Sequence, residues 1–371
     1  MLKLQHFIPV FIFFALACSD ASKKTAKTTS ETNSYAQLFD IDSSETQTTI
    51  TVYTESGDAG TTFQQAKFGK DNGNSRQNYI PKSINRIVCL STTHIGFLKK
   101  LNYADKIVGI AGQNNVFDES IQKRIQQNKV ADVGYEGNLN WERIIELQPD
   151  LITSYQIPGV QTKTVEMAKR FGIPYIIINE FSEPDILGQA EWIKVFGALT
   201  GSKKRADALF NQIALRYNNL KQSVKQADKR PTVFTNMPWK GTWYVPGGKS
   251  NISKLINDAG GKYLWESEKY SGSKPKSIEQ IFITAENADY WLNPGQATKY
   301  SDIENTDSRL VGLKCYRTGK VYNRTARVGS SGGNDYMESG VVNPDKVLSD
   351  LIQILHPELS DGYLYYYEPL K

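Results

Sequence analysis

Histidine and cysteine are scarce in this chain, with three of each among 371 residues. Only Cys89 and Cys315 remain after Cys18, and their spacing neither requires nor excludes a disulfide between them. His94 and His356 are the two histidines beyond the first few residues. Two histidines are too few for a His-rich transition-metal site, so we expect no direct metal ligation and no resident cofactor.

Long runs of one charge sign are also absent, and the formal net charge is only +5. Without a long basic stretch, nucleic acid is not the expected partner. The weak positive balance is compatible with small anionic ligands. The apolar run at residues 7–17 is shorter than the roughly 20 residues of a membrane-spanning helix, and it follows a single cation, Lys3. These features are typical of a secretory signal.

The signal-like segment ends in Cys18. Residues 15–18 resemble the lipobox of bacterial lipoproteins, which implies cleavage after residue 17 and acylation of Cys18. Residues 18–34 are rich in Ser, Thr and Lys, cannot bury a core, and are predicted to form a flexible tether. The expected location is the cell envelope, with the protein exported, lipid-anchored and facing the periplasm.

Strands alternate with helices from residue 85 to residue 155. Apolar strands are predicted at residues 86–90, 105–110 and 151–154, and helices follow the first of them and precede the last. Such alternation predicts a parallel sheet covered on both faces. Ligands collect at the carboxyl ends of parallel strands, so residues 91–94 and Tyr155 are expected on one rim of a cleft.

The second half of the chain repeats this alternation. We therefore expect an α/β fold with two Rossmann-like α/β lobes, joined by a long rigid helix and preceded by a small antiparallel extension. The expected divisions are a signal at 1–17, a tether at 18–34, a β extension at 35–80, the N-terminal lobe at 81–182, bridging helices at 183–228, and the C-terminal lobe at 229–371.

Five short segments in the two halves occur in a characteristic order and spacing, at residues 86–91, 105–109, 142–151, 258–261 and 356–359. Together they resemble the periplasmic binding proteins of ABC importers that carry ferric siderophores, haem and vitamin B12, of the type with a helical backbone between the lobes. The resemblance implies a monomer that holds a ligand between its lobes and delivers it to an ABC permease without catalysis. A ferric siderophore or related iron complex is the expected ligand, and cobalamin is the alternative.

The resemblance also assigns roles to individual residues. Tyr155 and Tyr336 hold positions that contact ligand in the family. Glu279 matches the carboxylate of the second lobe that docks on the transporter, and Glu166 is the nearest acid to the corresponding site of the first lobe at residues 161–162. For a haem ligand, His94 or Tyr135 would have to serve as the iron ligand.

The residues themselves suggest further contacts. Trp239, Trp243 and Tyr244 lie in a glycine-rich stretch, where they would either stack on a flat ligand or pack the core. Arg324 and Arg327 follow a predicted strand and would either bind ligand oxygens or remain solvated surface charges.

One pattern favours an enzyme instead. Residues 329–333 fit the G-x-S-x-G motif around Ser331, and Asp345 and His356 follow in the order used by α/β-hydrolases. The motif should turn directly into a helix, but more loop intervenes here. A serine hydrolase is therefore the rival hypothesis to a binding protein.

Overall fold

The computed structural model describes residues 29–31, 33–44, 47–53, 62–69, 79–135, 137–156, 163–227, 229–359 and 362–371. The signal-like segment, Cys18 and positions 161–162 lie outside the described residues. No helix within the described ranges combines the length and apolar content that a membrane span requires.

The N-terminal extension is a five-stranded sheet with its strands in chain order. The strands are β1 (Thr29–Glu31), β2 (Phe39–Ser43), β3 (Gln47–Tyr53), β4 (Thr62–Gly69) and β5 (Tyr79–Ile80). Neighbours pair antiparallel from β1 to β4, whereas β5 joins β4 in parallel. Since β1 falls inside residues 18–34, the sheet begins before the boundary at residue 35 that the sequence predicted.

The first lobe contains the predicted parallel sheet, in the order β12-β11-β6-β7-β8. Its strands β6, β7 and β11 are buried along their whole length, as expected for a sheet covered on both faces. The elements are β6 (Ile87–Cys89), α1 (Thr92–Lys100), β7 (Ile107–Ile110), α2 (Glu119–Gln126), β8 (Ala131–Asp132), β9 (Gly134–Tyr135), β10 (Asn138–Leu139), α3 (Trp141–Glu146), β11 (Leu151–Ser154), α4 (Lys163–Phe171) and β12 (Tyr175–Ile177).

The extension covers the open edge of this sheet. The side-chain amide of Gln64 donates to Tyr175 O at 3.0 Å and accepts from Ile177 N at 2.8 Å. Gln64 thus bonds the edge strand β12 much as a neighbouring strand would. Covering the edge satisfies backbone groups that would otherwise be open to pairing with other chains.

The bridge between the lobes is helical, as predicted, but it is not one continuous helix. It consists of α5 (Ile186–Glu191), α6 (Ile193–Leu199) and α7 (Lys203–Ser223). Helices α5 and α6 meet at Trp192, whose indole Nε1 donates to Glu183 Oε1 at 2.9 Å. The buried indole and its hydrogen bond fix the junction, so the break does not become a loose hinge.

The second lobe has a parallel sheet in the order β15-β13-β17-β18, and β19 is added antiparallel at the edge. The elements are β13 (Thr232–Thr235), β14 (Trp243–Pro246), α8 (Asn251–Asp258), β15 (Lys262–Tyr263), β16 (Ser273–Lys276), α9 (Ile278–Ala285), β17 (Tyr290–Leu292), α10 (Tyr300–Thr306), α11 (Lys314–Arg317), β18 (Val321–Asn323), α12 (Asp335–Ser339), α13 (Pro344–Leu355) and β19 (Glu368–Pro369). Part of the predicted loop at residues 238–248 is the strand β14, which pairs antiparallel with β16.

The segment around α12 returns to the first lobe and ties the lobes together. The carboxylate of Glu338 accepts a hydrogen bond from Phe117 N at 2.7 Å, and it is 2% exposed. Gly96 in α1 lies directly against the backbone of Glu338 and Ser339. The absence of a side chain at residue 96 allows this close approach of α1 and α12.

We expect Gly96→Ala to lower the free energy of unfolding by about 1–3 kcal/mol, because the added Cβ would overlap the backbone oxygen of Glu338. Ala favours a helix over Gly by about 1 kcal/mol, so the clash must exceed that gain. Urea titration followed by circular dichroism measures the change. Gly272→Ala is the control, since its Cβ meets open space. Equal stability of the two variants would contradict the close approach.

Candidate functional site

Two adjoining cavities form one groove at the junction of the lobes. The first, about 390 Å³, takes its walls from the first lobe, from α5 and from the second lobe. The second, about 470 Å³, continues along the rim of the first lobe. Thr93, Glu180 and Phe181 line both cavities. The groove between the lobes that the sequence predicted is therefore present.

The polar residues of the groove follow the carboxyl ends of the parallel strands. In the first lobe, Tyr155 follows β11 and Glu180 comes shortly after β12. In the second lobe, Asn236 follows β13, Asn293 follows β17 and Arg324 follows β18. This is the position at which α/β sheets place ligands.

Asn236 and Asn293 adopt a left-handed backbone, with φ of 70° and 56°. Asn tolerates this conformation better than other residues with a side chain because its short amide bonds locally. Neither residue was identified from the sequence, although a search for polar residues directly after apolar strands would have found both. Glu180 lies three residues beyond the end of β12, in the corresponding region of the first lobe.

Arg324 brings a positive charge into the first cavity. It is half-buried, and its guanidinium carbon lies 4.7 Å from the centroid of the Tyr336 ring. No carboxylate within the described ranges forms an ion pair with Arg324. A guanidinium that is stacked on an aromatic ring and lacks a protein counter-ion keeps its fork of donors available for ligand oxygens.

Glu180 brings a carboxyl group to the point where the two cavities meet. Its side chain is 3% exposed, and its Oε1 accepts a hydrogen bond from the Thr93 hydroxyl at 2.6 Å. Burial raises the pKa of Glu180 to about 7, and the Thr93 hydroxyl and nearby backbone N–H groups oppose this rise only in part. The group therefore exchanges a proton near neutral pH.

Aromatic surface flanks these charges. Tyr155 lines the second cavity, and its ring meets the ring of Phe181 edge-on with centroids 6.4 Å apart. Phe181 is 43% exposed and lines both cavities. Of the predicted ligand contacts, the structure thus places Tyr155, Arg324 and Tyr336 in the groove.

The structure contradicts a ligand contact for His94, which has no exposed surface. Its Nδ1 shares a hydrogen bond with the Thr153 hydroxyl at 2.9 Å, and burial lowers its pKa to about 3. The imidazole is therefore neutral. The turn of α1 directs residue 94 towards β11 and Phe196, whereas its neighbour Thr93 lines the groove.

Trp243 is also a core residue, so its prediction as part of the ligand wall is wrong. It has no exposed surface, and its indole Nε1 donates to Thr235 O at 3.0 Å. Its ring centroid lies 5.8 Å from that of Trp291. Because successive residues of a strand point to opposite faces, β14 buries Trp243 and leaves Tyr244 44% exposed.

Four other predicted contacts do not line either cavity. Tyr135 is 63% exposed in the β9–β10 hairpin, and Trp239 is 62% exposed with the Lys240 ammonium over its ring. Tyr244 lies beside the groove, since its backbone O accepts from the side chain of Asn236. Arg327 pairs with Asp335 at 2.6 Å. Contact of these residues with a bound ligand stays a prediction.

The residues of the rival hydrolase motif do not assemble into a triad. Ser331 bonds to Val116 O and Gln122, Asp345 pairs with Arg216, and His356 is buried beside Glu358.

Cys89 and Cys315 are both buried and free, so the structure has no disulfide between them.

The two predicted docking carboxylates each lie in the first turn of a helix, one in each lobe. Glu166 is exposed in the first turn of α4. Glu279 is in the first turn of α9, with its side chain 64% exposed, and it pairs with Arg309 at 2.6 Å. This ion pair lowers the pKa of Glu279 to about 2. A docking partner would have to compete with Arg309.

Comparison with known proteins gives a match to the periplasmic binding protein family over residues 87–328. An uncharacterised lipoprotein of Methanocaldococcus jannaschii is 27% identical over 289 residues, which is 75% of this chain and 67% of that protein. The iron(3+)-hydroxamate-binding protein of Bacillus subtilis is 27% identical over 158 residues, 42% of this chain and 44% of its own length. The crystal structure of a periplasmic haem-binding protein of Pseudomonas aeruginosa superposes with a TM-score of 0.59 at 17% identity, covering 78% of this chain and 98% of that one.

Proposed function

The chain belongs to the periplasmic binding protein family, and on that premise we propose that it captures a ferric siderophore or related iron complex in the groove and delivers it to the permease of an ABC importer. The observation that carries the proposal is the pairing of Arg324 with aromatic surface in a cavity walled by both lobes. The guanidinium suits the oxygen-rich surface of such a complex, and the rings suit its apolar shell.

The donor set of the groove favours a complex in which iron brings its own ligands. Both described histidines, His94 and His356, are buried away from the groove. Within the described ranges, no group of three or more His, Cys, Asp or Glu residues could hold a metal ion. A siderophore surrounds its iron with its own oxygens and needs only recognition of its outer surface. The name of the Bacillus subtilis relative supports the same ligand class.

The location and partners follow from the same proposal. Lipidation at Cys18 would tether the protein to a membrane of the cell envelope, and the Methanocaldococcus jannaschii relative is itself named a lipoprotein. Glu166 and Glu279 would meet the permease, one from each lobe. The protein would act as a monomer that binds and releases its ligand.

Titration of intrinsic tryptophan fluorescence tests the function. We expect saturable quenching by at least one ferric hydroxamate or catecholate complex, with a Kd in the micromolar range or below. The metal-free siderophore is the control for unspecific quenching. Binding restricted to cobalamin would support the alternative ligand, and the absence of binding across ferric complexes, haem and cobalamin would contradict the proposal.

A further inference from the structure

Three buried glutamates occur close together after β12, and they differ in how well they are bonded. Glu180, Glu183 and Glu191 are 3%, 1% and 0% exposed. Glu183 accepts hydrogen bonds from two backbone N–H groups and the Trp192 indole. Glu191 accepts from three backbone N–H groups and pairs with Lys194. Both are structural carboxylates with most of their acceptor positions occupied.

Glu180 has fewer hydrogen-bond donors around its carboxyl group than Glu183 and Glu191 have. Among the described residues, Thr93 is the one side chain that donates to Glu180, backbone N–H groups of residues 180 and 181 add to it only weakly, and Oε2 accepts no hydrogen bond. A carboxylate offers about four acceptor positions, and leaving a buried one unpaired is costly. Glu180 is also the only one of the three that lines the groove. Its missing partner is therefore to be sought in the ligand.

Arg324 lines the same cavity from the second lobe without forming an ion pair with Glu180. The groove thus presents the carboxyl group of Glu180 from the first lobe and the guanidinium group of Arg324 from the second lobe. The two charges remain apart although neither is neutralised by another described residue. A ligand of one charge sign would satisfy only one of them.

We propose that the groove selects a bipolar ligand, whose oxygen-rich region meets Arg324 and whose ammonium or other cationic N–H donor meets Glu180. This inference rests on the proposed function. It narrows the candidate ligands to ferric complexes that carry a cationic substituent. Ammonium donation supplies the hydrogen bond that Glu180 Oε2 lacks. The Arg324 guanidinium donates hydrogen bonds to the oxygens around the iron centre.

A matched pair of ligands tests this assignment. The probes are a linear ferric trihydroxamate with a terminal ammonium group and the same complex with that amine acetylated. At pH 8 we expect the ammonium form to bind about tenfold or more tightly, as for a hydrogen bond between charged groups. In Glu180→Gln this ratio should fall to about 1.

The preference should also weaken as the pH falls from 8 to 5.5, because a Glu180 with a pKa of about 7 takes up a proton in this range. Other titratable or charged groups on the surrounding elements include His94, Tyr155, Glu183, Asp185, Lys254, Arg324, Asp335, Tyr336 and Glu338. Burial also raises the pKa of Glu338 to about 7, but Glu338 lines neither cavity, so its protonation should affect both probes alike. His94, with a pKa of about 3, stays neutral throughout. The pH dependence should therefore vanish in Glu180→Gln.

Glu142→Gln is the control, because Glu142 is an exposed residue of α3 in the same lobe. It should leave the ratio of affinities unchanged, and thermal unfolding of Glu180→Gln verifies folding. Equal binding of the two probes by the wild type, or an unchanged ratio in Glu180→Gln, would overturn the inference and leave the proposed function intact. Failure of every ferric complex to bind would overturn both.

Discussion

Replacing Glu191 with alanine is expected to lower the free energy of unfolding by about 3–5 kcal/mol, the usual cost of breaking a buried charge network. The Glu191 carboxylate has no exposed surface and accepts backbone hydrogen bonds from Ser34, Tyr35 and Ala36 at 3.0, 2.8 and 2.8 Å. It also pairs with Lys194 at 2.5 Å. The substitution would leave three N–H groups and one ammonium group without their acceptor.

Glu183 continues this arrangement along the chain. It accepts from Gln37 N and Leu38 N, both at 2.9 Å. The two carboxylates thus bind five consecutive backbone N–H groups and hold residues 34–38 against the bridging helices. Because these residues lead into β2, the hydrogen bonds to Glu183 and Glu191 fix the whole extension to the region where the lobes meet.

Two measurements check the Glu191 prediction. Urea unfolding gives the loss of stability, and hydrogen exchange should show that the amides of residues 34–36 lose their protection. Glu142→Ala is the control, since an exposed glutamate that forms no ion pair with another described residue should change stability by less than about 0.5 kcal/mol. A Glu191→Ala protein with wild-type stability and protected amides would show that the hydrogen bonds to Glu191 do not hold the extension in place.

Replacing Arg324 with alanine is expected to weaken binding of a ferric complex by roughly 10- to 100-fold, the range for loss of charged hydrogen bonds. The guanidinium lines the cavity between the lobes, stacks on Tyr336 and has no paired carboxylate among the described residues. Its removal takes away the positive charge that meets the ligand oxygens. Fluorescence titration with the complex identified by the ligand panel gives the change in Kd.

Two variants sharpen the Arg324 test. Arg324→Lys keeps the charge but loses the planar fork, so its affinity should lie between those of the wild type and Arg324→Ala. Arg317→Ala, at an exposed arginine of the same lobe, should bind like the wild type. If Arg324→Ala folds normally and binds with unchanged Kd, the cavity is not where the ligand is recognised.

The sequence predicted the architecture well because the signals for it are local. Apolar strands such as Ile87–Cys89 and Leu151–Ser154 are buried on both faces, and this pattern is visible in a few consecutive residues. Alternation of such strands with helices leaves few topologies open. The rule that ligands gather at strand ends then located the groove, and Tyr155 and Arg324 are found there.

The individual wall residues were harder to predict. His94 and Trp243 were expected in the groove, yet both are fully buried. Side chains that can contact a ligand can also pack in a protein core, since an aromatic ring packs equally well against either. The orientation of α1 and the pairing of β14 with β16 decided the outcome, and that pairing joins residues about thirty positions apart.

The sequence by itself determined the two α/β lobes, their helical bridge and the rim on which polar residues collect, because each depends on the periodicity of neighbouring residues. Only the tertiary structure decided which side chains face the groove and which carboxylates are satisfied. Glu180, Glu183 and Glu191 look alike in the sequence. Their difference arises because residues 34–38 supply backbone donors to two of them from a distant part of the chain, whereas Glu180 faces the space between the lobes.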